Sequence, residues 1–389
     1  MNDPEPTASA AAADAADPTP AGASADAQSR ARERARARPW PVGRRATVIG
    51  AGSFGTALAV LLARAGMRTT LQARTAEQAR ELAEARENAD YLPGVELPAS
   101  LRIEPAHAGV ARAEYVFLAV PSRGLGEVID ALAGAGLGRR AAVVSVAKGL
   151  VAPDGRPPTV VLAATYGARR VACVGGPAHA REMVREGAGL VAASSDEALA
   201  RALAQLFTRA RVVCEQSNDP LGVELAGVAK NAAALAAGAT EAQGLNAAGA
   251  AAGHIFGEVW RWAETLGARP ESMIGLAGTG DLVATALARS SRNRRAGELL
   301  AEGVPAEAIG ARVGQAVEAL ESVPLLALAL EREHVHAPVT AALARLIAGE
   351  LPLDDWVALV RATVPPAARW RRRAQRGSLR RAFRRLLGR

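Results

Sequence analysis

Short apolar, β-branched runs alternate with longer alanine-rich or amphipathic runs over the first half of the chain. Strands that alternate with helices in this way are typical of a parallel sheet with right-handed crossovers. After Gly222 the strand-like runs disappear, and apolar residues recur at helical spacing to about Val364. The pattern therefore predicts an α/β fold class, with an N-terminal doubly wound domain and a C-terminal all-α domain. The runs predicted as strands are Thr47–Gly50, Thr69–Gln72, Tyr115–Val120, Ala142–Val146, Arg170–Val174, Gly189–Ala193 and Val212–Cys214.

The same pattern divides the chain into four segments. Residues 1–44 contain almost no large apolar side chains, so we expect a disordered extension. Residues 45–217 form the predicted sheet domain and residues 218–365 the predicted all-helical substrate and catalytic domain, with the turn-forming sequence Asn218-Asp219-Pro220 between them. Residues 366–389 form a basic tail with apolar residues at helical spacing.

The first predicted strand runs directly into Gly50-Ala51-Gly52-Ser53-Phe54-Gly55, a G-x-G-x-x-G sequence followed by helix-compatible residues. Gly50 would allow the tight turn, Gly52 would let the backbone approach a pyrophosphate, and Gly55 would let the helix pack against the strand. The phosphates would meet the helix N-terminus, where free N–H groups stabilise anions. This order predicts a Rossmann-type dinucleotide site, with a purely structural glycine turn as the alternative.

Arg74 refines the choice of dinucleotide. It ends the second predicted strand, at the place where an NAD-selective site usually has an acidic residue that binds the ribose hydroxyls. Because an arginine there suits a 2′-phosphate, we favour NADP(H) as the cofactor, with NAD(H) as the alternative. The other interpretation is that Arg74 is a solvated residue at the end of a strand.

The net charge and the cysteine content add little to the functional prediction. The formal charge is +8, but ten arginines and no acids lie between Ala367 and Arg389, so the rest of the chain is slightly acidic. The high pI is therefore poor evidence for specific nucleic-acid binding. Two cysteines, Cys173 and Cys214, cannot form the disulfide framework of a secreted protein, and we expect buried, reduced thiols and a cytoplasmic location.

The chain has only two lysines, Lys148 and Lys230, and uses arginine for its other basic side chains. The apolar neighbours of Lys230 are expected to bury it. A buried lysine beside another cation has a lowered pKa and can exchange a proton, which arginine cannot do. We interpret both lysines as functional, with chance survival in a GC-rich coding sequence as the alternative.

Polar clusters follow three of the predicted strands and should converge beside the cofactor, because ligands bind at the carboxyl ends of strands in open α/β sheets. These clusters are Val120-Pro121-Ser122, Ala147-Lys148-Gly149-Leu150 and Gly175-Gly176-Pro177. Together with the glycine turn and three later motifs, they resemble the bacterial NAD(P)-dependent sn-glycerol-3-phosphate dehydrogenases from about residue 46 to residue 360. The later motifs are Gly222–Asn231, Ala277–Leu282 and Ser291–Arg295.

The resemblance implies reversible reduction of dihydroxyacetone phosphate to sn-glycerol 3-phosphate with NAD(P)H, at the start of phospholipid synthesis, by a homodimer. Lys230 would be the proton donor and acceptor, held in place by Asp281 or Asn231. Implied catalytic residues are Lys230, Lys148 and Asp281. Implied cofactor contacts are Gly50, Gly52, Ser53, Phe54, Gly55, Arg74, Lys148, Ala180, Arg292 and Glu318. Implied substrate contacts are Lys148, Gly176, Lys230, Asp281, Thr285, Ser291, Arg292 and Asn293.

The chain departs from the family pattern at Ala178, where Ser or Thr is usual, at His179, where Phe is usual, and at Ala316, where Val is common. The segment from Gly244 to Gly249 also lacks a usual basic residue. Two alternatives therefore stay open: an NADP-dependent reductase of another short hydroxy or keto acid, and a non-catalytic NADP-binding paralogue.

We expect the basic tail to contact anionic membranes weakly, with a solvated or nucleic-acid-adhering tail as the alternative. The histidine spacing predicts no metal site.

Overall fold

The computed structural model describes residues 45–106, 108, 110–288 and 290–366. The predictions of a disordered extension over residues 1–44 and of a basic amphipathic tail after residue 366 lie outside the described residues. The fold class is confirmed: an eight-stranded, mostly parallel sheet is followed by helices alone. The strands are β1 (Arg45–Ile49), β2 (Arg68–Ala73), β3 (Arg102–Pro105), β4 (Tyr115–Leu118), β5 (Ala142–Ser145), β6 (Val171–Gly175), β7 (Gly189–Ala193) and β8 (Val213–Ser217).

The strand order is β3-β2-β1-β4-β5-β6-β7-β8. The chain builds outward from β1 in both directions, so β1 and β4 flank the switch point where a ligand crevice is expected. Ile49 of β1 is paired with Gln72 of β2 and with Leu118 of β4. The glycine turn that follows β1 therefore lies at this crevice.

Two features of the sheet differ from the sequence-based prediction. The edge strand β3 was not predicted, because Arg-Ile-Glu-Pro lacks both an apolar run and a clear alternation. β7 is antiparallel to β6, whereas an all-parallel sheet was expected. The chain returns at the same end of the sheet: a Cβ on Gly176, just after β6, would lie 2.4 Å from the carbonyl oxygen of Gly189, where β7 begins.

Helices cover the sheet and then form the rest of the described chain. Those within the sheet region are α1 (Ser53–Arg64), α2 (Ala76–Ala85), α3 (Leu125–Gly134), α4 (Pro158–Tyr166), α5 (Ala180–Arg185) and α6 (Glu197–Arg209). Those that follow are α7 (Pro220–Thr240), α8 (Leu245–Thr265), α9 (Pro270–Ile274), α10 (Asp281–Leu287), α11 (Arg292–Ala301), α12 (Ala306–Val313), α13 (Glu318–Arg332), α14 (Pro338–Ile347) and α15 (Leu353–Ala362). The exact limits of the two domains stay predictions.

The helix α7 is the central element of the helical part. The side chain of Asp219 caps its N-terminus by accepting a hydrogen bond from the Gly222 N–H, and nearly the whole helix is buried. Close contact with α11 depends on glycine, since a Cβ on Gly238 would lie 2.1 Å from the carbonyl oxygen of Arg294. The sequence of α7 has no polar face, as is typical of a helix that other elements surround on all sides. Lys230, in the middle of this helix, is therefore buried as well.

None of the helices in the part of the chain that the structure describes is long and apolar enough to cross a membrane. Both cysteines are free. Cys173 is buried as expected, but Cys214 is only half-buried, because it lies in the edge strand β8.

Candidate functional site

The glycine turn has the geometry that a dinucleotide pyrophosphate requires. Gly50 has a φ of +110°, and a Cβ there would lie 2.5 Å from the carbonyl oxygen of Ala119, so no other residue fits without strain. A Cβ on Gly55 would lie 2.0 Å from the carbonyl oxygen of Gly50. By contrast, a Cβ on Gly52 would meet no described atom within 4 Å. Gly52 therefore leaves an open space where a ligand can approach the backbone.

The helix N-terminus beside this space is ready for an anion. α1 begins at Ser53, and Gly52 caps it without a side-chain hydrogen bond. The N–H groups of a first helical turn have no partners inside the helix and, with the helix dipole, favour negative charge. Ser53, Phe54 and Gly55 occupy this turn, as the sequence predicted for cofactor contacts.

Two residues that support the glycine turn were not found from the sequence. Asn88 is buried and donates from Nδ2 to the carbonyl oxygen of Ala51 at 2.9 Å and to Oγ1 of Thr56 at 2.8 Å. Gln315 accepts from Oγ of Ser53 at 3.5 Å, across 262 positions of the chain. No local pattern in the sequence marks either residue.

Arg74 is exposed and follows β2 directly. Because Ile49 is paired with Gln72, Arg74 lies level with Ala51 of the glycine turn. Arg74 therefore lies at the crevice end of β2, where the adenosine ribose binds in this fold class. Within the described residues, the Arg74 side chain has no hydrogen bond or ion pair to another side chain or to the backbone.

Lys148 lies after β5 and joins the two parts of the structure. Its ammonium donates to the carbonyl oxygen of Gly176 at 3.0 Å and to Oδ2 of Asp281 at 2.5 Å. Gly176 directly follows the neighbouring strand β6, whereas Asp281 begins α10 in the helical part. Two of the three polar clusters predicted at the strand ends, those that contain Lys148 and Gly176, thus meet at this lysine.

Lys230 lies on α7 and faces the same carboxylate from the other side. Its Nζ donates to Oγ1 of Thr285 at 3.1 Å and lies 3.4 Å from Oδ1 of Asp281. Thr285 in turn donates to Oδ1 of Asp281 at 3.4 Å, as expected for residues one turn apart on α10. Lys230 and Asp281 are 8% and 3% exposed. The two lysines therefore share one buried carboxylate.

The electrostatics of this cluster favour proton exchange at Lys230. Burial lowers the pKa of Lys230 to about 8, helped by the positive charge of Lys148 and opposed by Asp281. Burial alone would raise the pKa of Asp281, but the two ammonium groups outweigh it and keep that pKa below its ordinary value. Asp281 thus stays ionised, while Lys230 can lose its proton near neutral pH.

Asn231 does not hold Lys230, which was one of two expectations from the sequence. Its Nδ2 donates instead to the carbonyl oxygen of Lys148 at 2.9 Å and to Oε2 of Glu318 at 3.3 Å. The reason is helix geometry, because adjacent residues on α7 point in different directions. Burial raises the pKa of Glu318, although the nearby lysines oppose the rise.

The remaining predicted substrate residues lie at the start of α11. Ser291 caps this helix by accepting from the Arg294 N–H at 3.3 Å. Asn293 donates to Oδ1 of Asn231 at 2.8 Å, which links the helix start to the lysine cluster. Arg292 is exposed and donates to the carbonyl oxygen of Ala316 at 3.1 Å. Ala180, a predicted cofactor contact, begins α5, which packs against α1.

Two cavities of the described chain lie away from the lysine cluster. Cavities of about 550 and 430 Å³ adjoin β8, and no residue of the lysine cluster lines either of them. Because neither cavity brings together a perturbed acid and base, the lysine cluster is the stronger candidate for chemistry. Among residues 45–106, 108, 110–288 and 290–366, no group of His, Cys, Asp or Glu is placed to hold a metal ion.

Comparison with known proteins identifies the family. A model described as the NAD-dependent glycerol-3-phosphate dehydrogenase N-terminus matches residues 45–200, and the corresponding C-terminus model matches residues 219–358. A protein from Deinococcus radiodurans named glycerol-3-phosphate dehydrogenase (NAD(P)+) is 42% identical over 313 residues, which are 79% of this chain and 92% of that protein. A protein of the same name from Thermus thermophilus is 42% identical over 310 residues, 78% of this chain and 93% of that protein.

A solved structure agrees with this assignment. The crystal structure of glycerol-3-phosphate dehydrogenase from Coxiella burnetii matches with a TM-score of 0.78 and 28% identity, and the match covers 83% of this chain and all of that one. The N-terminus model covers the glycine turn and Lys148, and the C-terminus model covers Lys230 and Asp281. The chain therefore belongs to the NAD-dependent glycerol-3-phosphate dehydrogenase family.

Proposed function

We propose that this protein catalyses the NAD(P)H-dependent reduction of dihydroxyacetone phosphate to sn-glycerol 3-phosphate, and the reverse oxidation, and so supplies phospholipid synthesis. The observation that carries the proposal is the shared contact of Lys148 and Lys230 with Asp281, between a dinucleotide turn and the start of α11. Family membership supports the same reaction.

The cofactor fits the residues present. The open space at Gly52 and the uncapped first turn of α1 would receive the pyrophosphate, with Ser53, Phe54 and Gly55 supplying N–H groups. Gly50, Arg74, Lys148, Ala180, Arg292 and Glu318 are the further residues assigned to it. When bound, the nicotinamide supplies or accepts the hydride.

Lys230 is assigned the proton transfer. Reduction of a ketone leaves negative charge on the former carbonyl oxygen, and a positioned ammonium both stabilises that charge and protonates it. With a pKa of about 8, Lys230 can donate its proton in the reduction and accept it in the oxidation. Asp281 and Thr285 hold the ammonium in place. Lys148 orients Asp281 and adds positive charge beside the substrate.

The substrate phosphate is assigned to the start of α11. Arg292 and Asn293 lie in its first turn, Ser291 caps it, and its N–H groups and dipole favour a phosphate. A guanidinium fork matches two phosphate oxygens. Arg292 would have to exchange its contact with the Ala316 carbonyl for the phosphate. Gly176 completes the proposed substrate contacts from the sheet side.

The experiment that tests this proposal is the initial rate of NADPH and NADH oxidation with dihydroxyacetone phosphate. We expect turnover that depends on the phosphoester, with NADPH preferred over NADH because Arg74 suits a 2′-phosphate. Faster turnover of a phosphate-free hydroxy or keto acid would contradict the proposed substrate. Binding of NADPH without turnover of any of these compounds would contradict the enzymatic function altogether.

We further propose a cytoplasmic homodimer whose basic tail contacts anionic membranes weakly. The two free cysteines suit a reducing compartment, and the ten arginines after residue 367 supply the charge for the membrane contact. Light scattering tests the dimer. Flotation with vesicles of phosphatidylserine, compared with vesicles of phosphatidylcholine, tests the tail, and equal binding to both vesicles would contradict the electrostatic contact.

A further inference from the structure

The side chain of Lys148 crosses the helix α7 at Gly227, one turn before Lys230. A Cβ on Gly227 would lie 3.3 Å from Cγ, 3.4 Å from Cβ and 3.7 Å from Cα of Lys148. These three atoms are its nearest neighbours outside the backbone of α7, and a contact of 3.3 Å is tighter than a Cβ ordinarily makes. The stem of Lys148 therefore uses the space that a side chain at position 227 would fill.

The place of Gly227 on α7 connects this contact to the lysine cluster. Residues three and four apart are neighbours on a helix surface, and side chains lean toward the helix N-terminus, so Lys230 and Asn231 lean over the turn that contains Gly227. Lys148 lies across the same turn. Its carbonyl oxygen accepts from Nδ2 of Asn231 at 2.9 Å, and its ammonium shares Asp281 with Lys230.

The other glycines of α7 serve different contacts. A Cβ on Gly222 would lie 2.0 Å from the Asp219 carboxylate that caps the helix, and Gly238 lets α11 approach. At Gly227, by contrast, no atom of another helix is among the nearest neighbours. Glycine weakens a helix interior relative to alanine, so each glycine of this buried helix needs a local reason. At position 227 that reason is Lys148.

The backbone beside Lys148 has little room to move away from α7. A Cβ on the next residue, Gly149, would lie 2.6 Å from Oγ of Ser322 on α13 and closer still to Oγ of Ser122, which follows β4. Both serine side chains are buried. A side chain at position 227 would therefore displace the flexible stem of Lys148, and with it the ammonium, rather than the backbone.

We propose that Gly227 is a positioning residue that, by lacking a side chain, places the Lys148 ammonium beside Asp281 and Lys230. Gly227 does not touch the reacting atoms and acts through Lys148. The kinetic part of this inference rests on the proposed function, whereas the placement of Lys148 does not.

A displaced Lys148 changes the electrostatics at Lys230 in one direction. The charged groups that act on Lys230 are Lys148, which lowers its pKa, and Asp281 and Glu318, which raise it. Moving the Lys148 ammonium away from α7 weakens the lowering contribution and leaves the two carboxylates in place. The pKa of Lys230 should therefore rise when position 227 carries a side chain.

Titration of the lysine side chains tests this placement without substrate. The chain has only two lysines, so protein labelled with ¹³C at lysine Cε gives two such signals, and Lys148→Met assigns the remaining one to Lys230. We expect the titration midpoint of Lys230 to rise by about half a pH unit or more in Gly227→Ala. Gly253→Ala is the matched control, because Gly253 lies inside α8 and a Cβ there would meet no described atom within 4 Å.

Kinetics test whether the placement matters for turnover. We expect Gly227→Ala to lower kcat for dihydroxyacetone phosphate by about tenfold, because small displacements of catalytic groups have effects of this order. The fall of kcat/KM with pH should move to higher pH, as in Lys148→Met. In a Lys148→Met background, Gly227→Ala should change kcat by less than about twofold, because the group through which Gly227 acts is gone.

Two results would overturn the positioning role. One is a Lys230 midpoint in Gly227→Ala equal to that of the wild type. The other is an equal loss of kcat with and without the Lys148 ammonium, which would show that the methyl group acts on α7 alone. If the wild-type protein does not reduce dihydroxyacetone phosphate, the proposed function fails, while the titration still decides the placement of Lys148.

Discussion

Lys148 and Lys230 bind opposite oxygens of the same carboxylate, that of Asp281, with Nζ–O distances of 2.5 and 3.4 Å. The two lysines come from different parts of the fold, one after a strand of the sheet and the other from the middle of α7. Both ammonium groups lower the pKa of Asp281, and the charge of Lys148 helps burial to lower the pKa of Lys230.

Replacing Lys230 by methionine should abolish catalysis while stabilising the fold. We expect kcat to fall by about 10²- to 10⁴-fold, the usual contribution of a general acid. Burial lowers the pKa of Lys230 from 10.5 to about 8, so the folded protein holds the ammonium at a cost of about 1.4 kcal/mol per pKa unit. Lys230→Met should therefore raise the free energy of unfolding by about 1–3 kcal/mol.

This stabilisation should depend on pH in a defined direction. It is largest below pH about 8, where Lys230 would be charged in both states, and it shrinks toward pH 10.5, where the unfolded chain also releases the proton. Denaturant unfolding at several pH values measures it. Equal activity of Lys230→Met and wild type would remove Lys230 from its assigned role, and a destabilised variant would contradict the cost of burial.

The pH dependence of reduction should report the charge balance around Lys230. Reduction needs the ammonium form, so kcat/KM should fall as the pH rises through about 8. Asp281 raises the pKa of Lys230, so Asp281→Asn should shift the fall to lower pH. Lys148 lowers it, so Lys148→Met should shift the residual activity to higher pH. Shifts in the same direction for both variants would contradict the shared-carboxylate arrangement.

Arg74 should decide between the two dinucleotides. In Arg74→Asp we expect the KM for NADPH to rise by about tenfold or more, because a charged hydrogen bond to the 2′-phosphate is lost. The KM for NADH should change little. Arg68→Asp, an exposed residue at the other end of the same strand β2, is the matched control. An unchanged NADPH-to-NADH ratio in Arg74→Asp would show that Arg74 is only a solvated residue.

Two glycines of the same turn should respond differently to alanine. Gly52→Ala has space for the methyl group and an extended φ of −78°, so we expect stability within about 1 kcal/mol of wild type. The methyl group would still block the approach of a pyrophosphate, and NADPH affinity should fall by about tenfold or more. Gly50→Ala would place a Cβ 2.5 Å from the carbonyl oxygen of Ala119 on a residue with positive φ. It should therefore lower the free energy of unfolding by more than about 1 kcal/mol. Fluorescence titration and thermal unfolding measure both effects.

Glu258 should matter for stability alone. Its buried carboxylate accepts from the N–H groups of Val339 and Thr340, at 3.0 and 2.8 Å, and so caps α14 from a neighbouring helix. Glu258→Ala leaves these two N–H donors without their carboxylate partner and should lower the free energy of unfolding by about 1–3 kcal/mol. Glu264→Ala, exposed on the same helix α8, should cost far less. Denaturant unfolding compares the two, and equal losses would contradict the capping role.

The sequence by itself determined the features that depend on local pattern. The spacing of Gly50, Gly52 and Gly55 after an apolar run specified a strand, a turn and a helix, because the turn needs a positive φ and close backbone approach. Helical spacing likewise placed Thr285 beside Asp281, because residues four apart share one face of a helix. The scarcity of lysine directed attention to positions 148 and 230. These are short-range properties that the order of residues fixes directly.

Only the tertiary structure decided which distant groups meet. That Asp281 lies between both lysines, that Asn231 binds the Lys148 carbonyl and Glu318, and that β7 runs antiparallel to β6 all depend on contacts across many positions of the chain. Each contact results from how buried helices and strands pack, and the residues that a side chain meets across such an interface leave no periodic trace in the sequence. The lowered pKa of Lys230 belongs to this class, because burial and the positive charge of Lys148, from elsewhere in the chain, produce it.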